Sequence, residues 1–308
     1  MAVSETLTTA AEAAAEAQPS ARPAEPAPAP ARRPARPTRP QPVVQAVGAV
    51  LCLAALLVLG FFVYLYGLSG VSEAREQSTL YRTFAGQLGQ AVAPVGPTAE
   101  GAPVAILDIP SLGISGLVVV EGTTSGDLMR GPGHVRASVL PGQAGVSVVY
   151  GRVATFGAPF AHLLRLNRGD VITATTGQGV SKYEVESFGT AASPAPDPTA
   201  DRLVLETADS ATYPDGAVMV SADLRSAAQP NPGGRPAITP QERYLAGDPG
   251  ALIPLVFWSQ ALLLTSVGAV LAGHRWSRRP ALLCAAPVAF ALAWSVYENL
   301  AALLPNLY

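Results

Sequence analysis

Cysteine is nearly absent from this chain: the only two, Cys52 and Cys284, each lie inside a long apolar run. That scarcity excludes a disulfide framework and a cysteine-built metal site. It also excludes a thiolate nucleophile on a water-exposed domain, since a cysteine in such a run is a small packing residue. Histidine is scarce too, at three residues, and His134 and His162 without a third ligand do not make a zinc site. Charged residues make up 14% of the chain and leave a net charge of −2. No run of Lys and Arg with interleaved aromatics lies between the apolar runs, so nucleic acid is not an expected partner. No cofactor and no metal are expected.

What the chain has in excess is hydrophobic residues, 49% of 308. Three apolar runs account for the surplus: 43–69, 251–273 and 281–304. At about 1.5 Å per residue each is long enough for the ~30 Å hydrocarbon core, and the expected partner is the lipid bilayer. The first run follows a long tail and exceeds the ~7–15 apolar residues of a signal peptide, which favours a retained anchor. Arg32, Arg33, Arg36 and Arg39 precede the first run, and Arg275, Arg278 and Arg279 separate the second from the third. Basic flanks face the cytoplasm, which predicts a multi-pass cell-membrane protein. Its N-terminus is cytoplasmic, and the segment between runs one and two and the C-terminus are extracellular. Glu298 and Asn299 interrupt the third run near its end; interfacial placement is favoured over a role in helix pairing.

Residues 1–42 are rich in Ala, Pro, Glu and Arg and read as a disordered cytoplasmic tail. Within 70–103, Leu80, Tyr81, Phe84 and Leu88 form one helical stripe, followed by a Pro- and Gly-rich loop. From residue 104 the period shortens to β runs at 104–109, 117–120, 146–150, 171–175, 183–188, 203–207 and 218–222, with short helices at 125–129 and 158–166. Closely spaced strands with Gly and Pro turns predict a closed β-barrel over 104–226. The fold class is therefore mainly β, a closed barrel with short helices plus three transmembrane α-helices. Residues 227–250 read as a polar linker.

Four segments carry a resemblance: Gly131-Pro132-Gly133-His134, Leu140-Pro141-Gly142-Gln143, Tyr150-Gly151-Arg152-Val153-Ala154-Thr155-Phe156-Gly157-Ala158-Pro159-Phe160 and Leu203-Val204-Leu205-Glu206-Thr207-Ala208. Together they resemble the sortases, membrane-anchored cysteine transpeptidases of Gram-positive cell walls, over roughly residues 72–226. The resemblance implies an eight-stranded barrel and a sorting-signal peptide as substrate. It also implies a catalytic His where Arg152 stands, a nucleophilic Cys where Ala208 stands and an oxyanion-stabilising Arg near Gly216 or Ala217. None of those three groups is present. The turn glycines and apolar strand positions around them persist, which suits a retained fold with another use.

A candidate groove is formed by Arg152, Thr155, Thr207, Ala208 and Asp209. Arg152 cannot act as a general base at neutral pH. Two readings of it stand open: it binds a carboxylate or carbonyl of a ligand, or it fills the old pocket and pairs with Asp209 or another nearby acid. Thr207, Thr155 or Ser210 would need an adjacent base to become a nucleophile. His134 reads as structural and His162 as solvent-facing or locally bonded.

The expected function is a catalytically degenerate, class E- or D-like sortase relative: a membrane-anchored, non-catalytic envelope protein whose barrel binds an envelope protein or a sorting-signal peptide. The alternative is an active, cysteine-independent transpeptidase or hydrolase. A structural subunit that binds through its two C-terminal spans is a third reading. High Ala, Gly, Pro and Arg with little Lys points to an actinobacterial source.

Overall fold

The computed structural model describes residues 42–190, 201–211, 216–233, 245–275 and 277–306. The chain divides into two units, 1–50 and 51–308. Of the first, only the opening of a helix is described; the expected disorder of the tail lies outside the described residues, as does 234–244 of the linker.

Helix α1 (Pro42–Val63) is uncharged and, Gln45 apart, apolar, and its exposed leucines and valines suit a lipid surround. It does not end where the apolar run ends. A π-helical turn, Tyr64–Leu68, carries it into α2 (Ser69–Gly89). The sequence reading separated span and amphipathic helix at 69/70; the structure joins them, because neither Gly nor Pro interrupts the backbone hydrogen bonds strongly enough to break the helix there. Helices α4 (Leu252–Arg275) and α5 (Arg278–Leu303) follow the barrel. Among the described residues, three helices are thus long and apolar enough to cross a membrane.

Between them stand β1 (Pro103–Ile109), β2 (Ile114–Glu121), a short helix α3 (Ser125–Leu128), β3 (Gly133–His134), β4 (Val146–Tyr150), β5 (Val171–Thr176), β6 (Gly179–Thr190), β7 (Arg202–Ala208) and β8 (Ala217–Leu224). They close into a barrel in the order β1-β2-β3-β4-β7-β8-β6-β5. Val, Ile and Leu at alternating positions fill the barrel interior, with Leu107, Val119, Val149, Ile172, Val185, Leu205 and Val220 among its buried residues. The two-residue strand β3 escaped the sequence reading because it is too short to show alternation. The helix expected at 158–166 is also absent. Thr155, Phe156 and Ala158 have positive φ and Pro159 follows, so the chain turns here and forms only a 3-10 turn, Leu163–Arg165.

The amphipathic stripe does what its spacing implies. Leu80 and Phe84 are buried against Ile106, Val118 and Val120 on the outside of the barrel, each contributing about 1.5–3 kcal/mol. The Gln77 side chain adds polar specificity: its amide donates to Val118 O (3.0 Å) and Arg130 O (2.8 Å), and accepts from Val118 N–H (2.9 Å).

Candidate functional site

Three chain segments meet at one end of the barrel. β4 runs parallel to β7 with Tyr150 opposite Glu206. Two bonds carry the register further: Gly151 N–H donates to Glu206 O (2.9 Å), and the Thr207 hydroxyl donates to Gly151 O (2.8 Å). β7 pairs antiparallel with β8, placing Ala208 opposite Ala217, and Asp209 N–H donates to Gly216 O (3.0 Å). Arg152, Thr207, Ala208, Gly216 and Ala217 are therefore neighbours although 56 residues separate Arg152 from Ala208 in the chain. Thr207, Ala208 and Ala217 are buried, whereas Asp209 is exposed.

Arg152 is turned away from Asp209. Its Nε donates to Leu128 O (3.2 Å), its Nη2 to Ser125 Oγ (3.1 Å) and Ser125 O (3.5 Å), and its Nη1 to Thr155 Oγ1 (3.4 Å). Its guanidinium carbon also lies 5.0 Å from the Phe156 ring centroid, within cation–π range. Burial pulls the guanidinium down to about 10, which still leaves it charged at neutral pH. Of the two open readings of this residue, pairing with Asp209 is not among its described bonds, whose donors go to α3 and the turn after β4. Those turn residues sit in the left-handed region, with φ of 63° at Thr155 and 44° at Phe156, and the aromatic and guanidinium contacts hold them there.

The same end of the barrel rests on the helical spans. Ser125 Oγ, which accepts from Arg152, donates to Ala301 O of α5 (3.1 Å). Phe156 is buried against Tyr64 in an edge contact with ring centroids 6.2 Å apart, and its N–H donates to Ser69 Oγ (2.8 Å). Glu298 accepts from Ser72 Oγ and from Trp294 Nε1, both at 2.7 Å. It thus ties α5 to the start of α2, while Asn299 bonds to Ser295 O of its own helix. Residues read as a linker also take part: Leu245 is buried with Leu128 and Tyr150, and Gln229 bridges to Gln143. A cavity of about 410 Å³ remains where barrel and spans meet, lined by Ser72, Arg130, Phe156, Asp248 and Glu298 among others. Sequence reasoning missed Ser125, Leu128, Phe156 and Leu245 as parts of this site; nothing in local spacing distinguishes them.

A second cavity of about 160 Å³ opens elsewhere on the barrel, beside Glu121, His134, Ser138 and Gln143. His134 Nδ1 lies 2.8 Å from Glu121 Oε2 and its Nε2 lies 3.0 Å from Ser138 Oγ. Serine, imidazole and carboxylate stand in series, as in a nucleophilic triad. The remaining bonds assign them another role. Nε2 also faces Val139 O at 2.8 Å, which requires a proton on that nitrogen, and the Ser138 hydroxyl donates to Val135 O (2.8 Å). A ring that donates toward the serine cannot take its proton, so the series cross-links β2, β3 and the following loop. His162 is exposed. Among the described residues no group of three or more His, Cys, Asp or Glu side chains is placed to hold a metal.

Asp127 on α3 is the most perturbed acid near the site. Its carboxylate accepts from Thr124 N–H (3.1 Å) and Thr124 Oγ–H (2.7 Å) in a capping box. Burial, with the charge of Glu100 adding to it, pushes its carboxyl up to about 7 against the opposing Thr124 bonds. The folded protein thus holds a proton that the unfolded chain releases near pH 4. Its contribution to stability is fully present below about pH 4 and is lost as pH rises through about 7. In detergent, Asp127→Asn is expected to reduce the excess of Tm at pH 5 over pH 8 by a few degrees; an unchanged difference counts against this assignment.

Residues 107–225 match the family described as Sortase domain. No curated protein matches the chain. Among solved structures, a Clostridium perfringens sortase D5 transpeptidase is 20% identical, covers 49% of this chain and 99% of its own, and has a TM-score of 0.43. Sortase E from Streptomyces avermitilis is 28% identical over 46% of this chain and 98% of its own, at 0.37. Sortase A from Corynebacterium diphtheriae is 20% identical over 54% of this chain and 93% of its own, at 0.38.

Proposed function

From a chain that carries a domain of the sortase family over residues 107–225, we propose a membrane-anchored envelope protein that has kept the sortase fold without the transpeptidase chemistry. One observation carries the reading: the only thiols, Cys52 and Cys284, belong to α1 and α5, two of the apolar membrane-length helices, and Ala208 stands at the end of β7. Sortase chemistry needs a thiolate to form the acyl-enzyme. At the barrel end, Arg152 stays protonated at neutral pH and the Thr207 hydroxyl donates its hydrogen bond to Gly151 O. Neither arrangement supplies a base and nucleophile pair, which speaks against the cysteine-independent enzyme.

The barrel lies outside the cell in this proposal, with the N-terminus cytoplasmic. The arginine-rich flanks at 32–39 and 275–279 support that orientation. Contacts of the barrel end with Tyr64, Ser69 and Ala301 support a common side for the barrel and the ends of the first and third spans, whichever side that is. The barrel acts by binding, with an envelope protein or a sorting-signal peptide as the partner class.

The test is turnover of quenched Leu-Pro-x-Thr-Gly peptides, with an amine acceptor, by the full-length protein in detergent. Signal at the no-protein background is expected for wild type, Thr207→Ala and Arg152→Ala alike. Turnover more than about tenfold above background that disappears in Thr207→Ala overturns the proposal, because it identifies an active hydroxyl.

A further inference from the structure

The segment that enters α4 runs across the barrel end beside Arg152, and its contacts are those of a bound peptide. Leu245 places its side chain, 8% exposed, against Leu128 and Tyr150. The next carbonyl, Ala246 O, accepts the Ser125 N–H at 2.8 Å, as an extended peptide would through its main chain. Gly247 passes so close to Leu303 O that a Cβ has no room, and Asp248 N–H donates to Ala302 O (2.8 Å). Arg152 fixes the seat from the other side through Leu128 O, Ser125 O and Ser125 Oγ.

Two features separate this segment from an ordinary connection. Leu245 has φ of 57°, a left-handed conformation that a branched apolar side chain rarely adopts. Its backbone is held there by the seat of its side chain and by the Asn306 N–H donated to Leu245 O (3.1 Å). The far end of the segment borders a cavity, since Asp248 and Gly250 line the space between barrel and spans.

We propose that residues 245–248 are an intramolecular ligand, a strap that occupies the barrel end in cis and holds it closed to other extended peptides bearing one aliphatic side chain. The strained Leu245 is the point of release. When the strap leaves, the exposed seat consists of an apolar pocket (Leu128, Tyr150) and one backbone donor (Ser125 N–H), on a frame that Arg152 keeps in place through Leu128 O. This is distinct from the proposal of lost catalysis, and the experiment below uses no substrate, so the two fail separately.

The experiment uses the full-length protein in nanodiscs with Cys52→Ala and Cys284→Ala, so that Leu245→Cys is the only thiol. A water-soluble maleimide is expected to label it at least about tenfold slower than Val180→Cys, a position 60% exposed, because labelling requires local opening. Adding Leu128→Ala, or the hexapeptide Leu-Ala-Gly-Asp-Pro-Gly in trans, is expected to raise the rate about tenfold by emptying or competing for the seat. Labelling as fast as Val180→Cys overturns the proposal, and so does a slow rate that neither addition changes. An independent readout needs no cysteine: hydrogen exchange at the Ser125 amide is expected to accelerate in Leu245→Ala, which removes the anchoring side chain and keeps the positive-φ penalty. Equal exchange in wild type and Leu245→Ala overturns the strap as the cover of this site.

Discussion

Phe160→Ala is expected to destabilise the barrel by about 3–5 kcal/mol, the largest effect of any single truncation near the site. Phe160 is fully buried in the barrel core, where Leu163, Leu166, Val149 and Leu205 belong to the same cluster. Its ring lies so close to Gly151 that a Cβ there would clash, and its N–H donates to Arg152 O (3.1 Å). The residue therefore supports the barrel interior and fixes the turn that begins at Arg152. Little relaxation is available, because the core neighbours Val149 and Leu205 sit on strands β4 and β7, which are locked in register with each other. Against a typical total of about 5–15 kcal/mol for a domain, such a loss shifts the denaturant midpoint strongly. Urea unfolding of the full-length protein in detergent measures it. A loss under about 1 kcal/mol contradicts a tightly packed site at Phe160.

Arg152→Ala follows, with an expected loss of about 2–4 kcal/mol. The substitution removes the donor to Leu128 O and the donor to Ser125 Oγ, along with the contact over Phe156. Buried acceptors left without a donor account for most of the cost. Arg152→Lys is expected not to rescue it, since one ammonium cannot span Leu128 O, Ser125 and the aromatic face in the way a planar fork does. Arg152→Met, which returns apolar volume and avoids desolvating a charge, is expected to be milder than Ala. The comparison separates the ligand-binding reading of this residue from the structural role its bonds give it. An arginine that waits for a ligand costs nothing in the free protein when removed; one that joins the barrel to α3 and, through Ser125, to α5 costs stability. Thermal unfolding of the three variants in one detergent decides between them.

Much of the architecture was legible before any coordinates. Seven of the eight strands announce themselves through alternating Val, Ile and Leu between Gly and Pro turns, and the stripe of Leu80, Phe84 and Leu88 defines a helix face that does pack on the barrel. Both signals are local and periodic, and they survive in a single sequence. The misreadings share a cause. Residues 158–166 carry helix-compatible spacing, yet the turn with positive φ at Thr155, Phe156 and Ala158 is held by contacts with Tyr64 and Ser69, which lie far away in the chain, as well as with nearby Arg152. The linker reading of 227–250 failed at Leu245 for the same reason, because one buried side chain leaves no periodic trace.

For the candidate site, the sequence alone determined which chemical groups are present. Two cysteines confined to apolar runs, an arginine at 152 and an alanine at 208 limit the possible chemistry without reference to any fold, since a side chain's nucleophilicity and charge are covalent properties. Only the tertiary structure decided where those groups point. The parallel pairing of β4 with β7 brings Arg152 beside Ala208, and the packing of α3, α5 and residues 245–248 then turns the guanidinium inward and covers the barrel end. Hydrogen bonds and burial depend on distances between residues far apart in the chain, and those distances exist only once the barrel has closed on its spans.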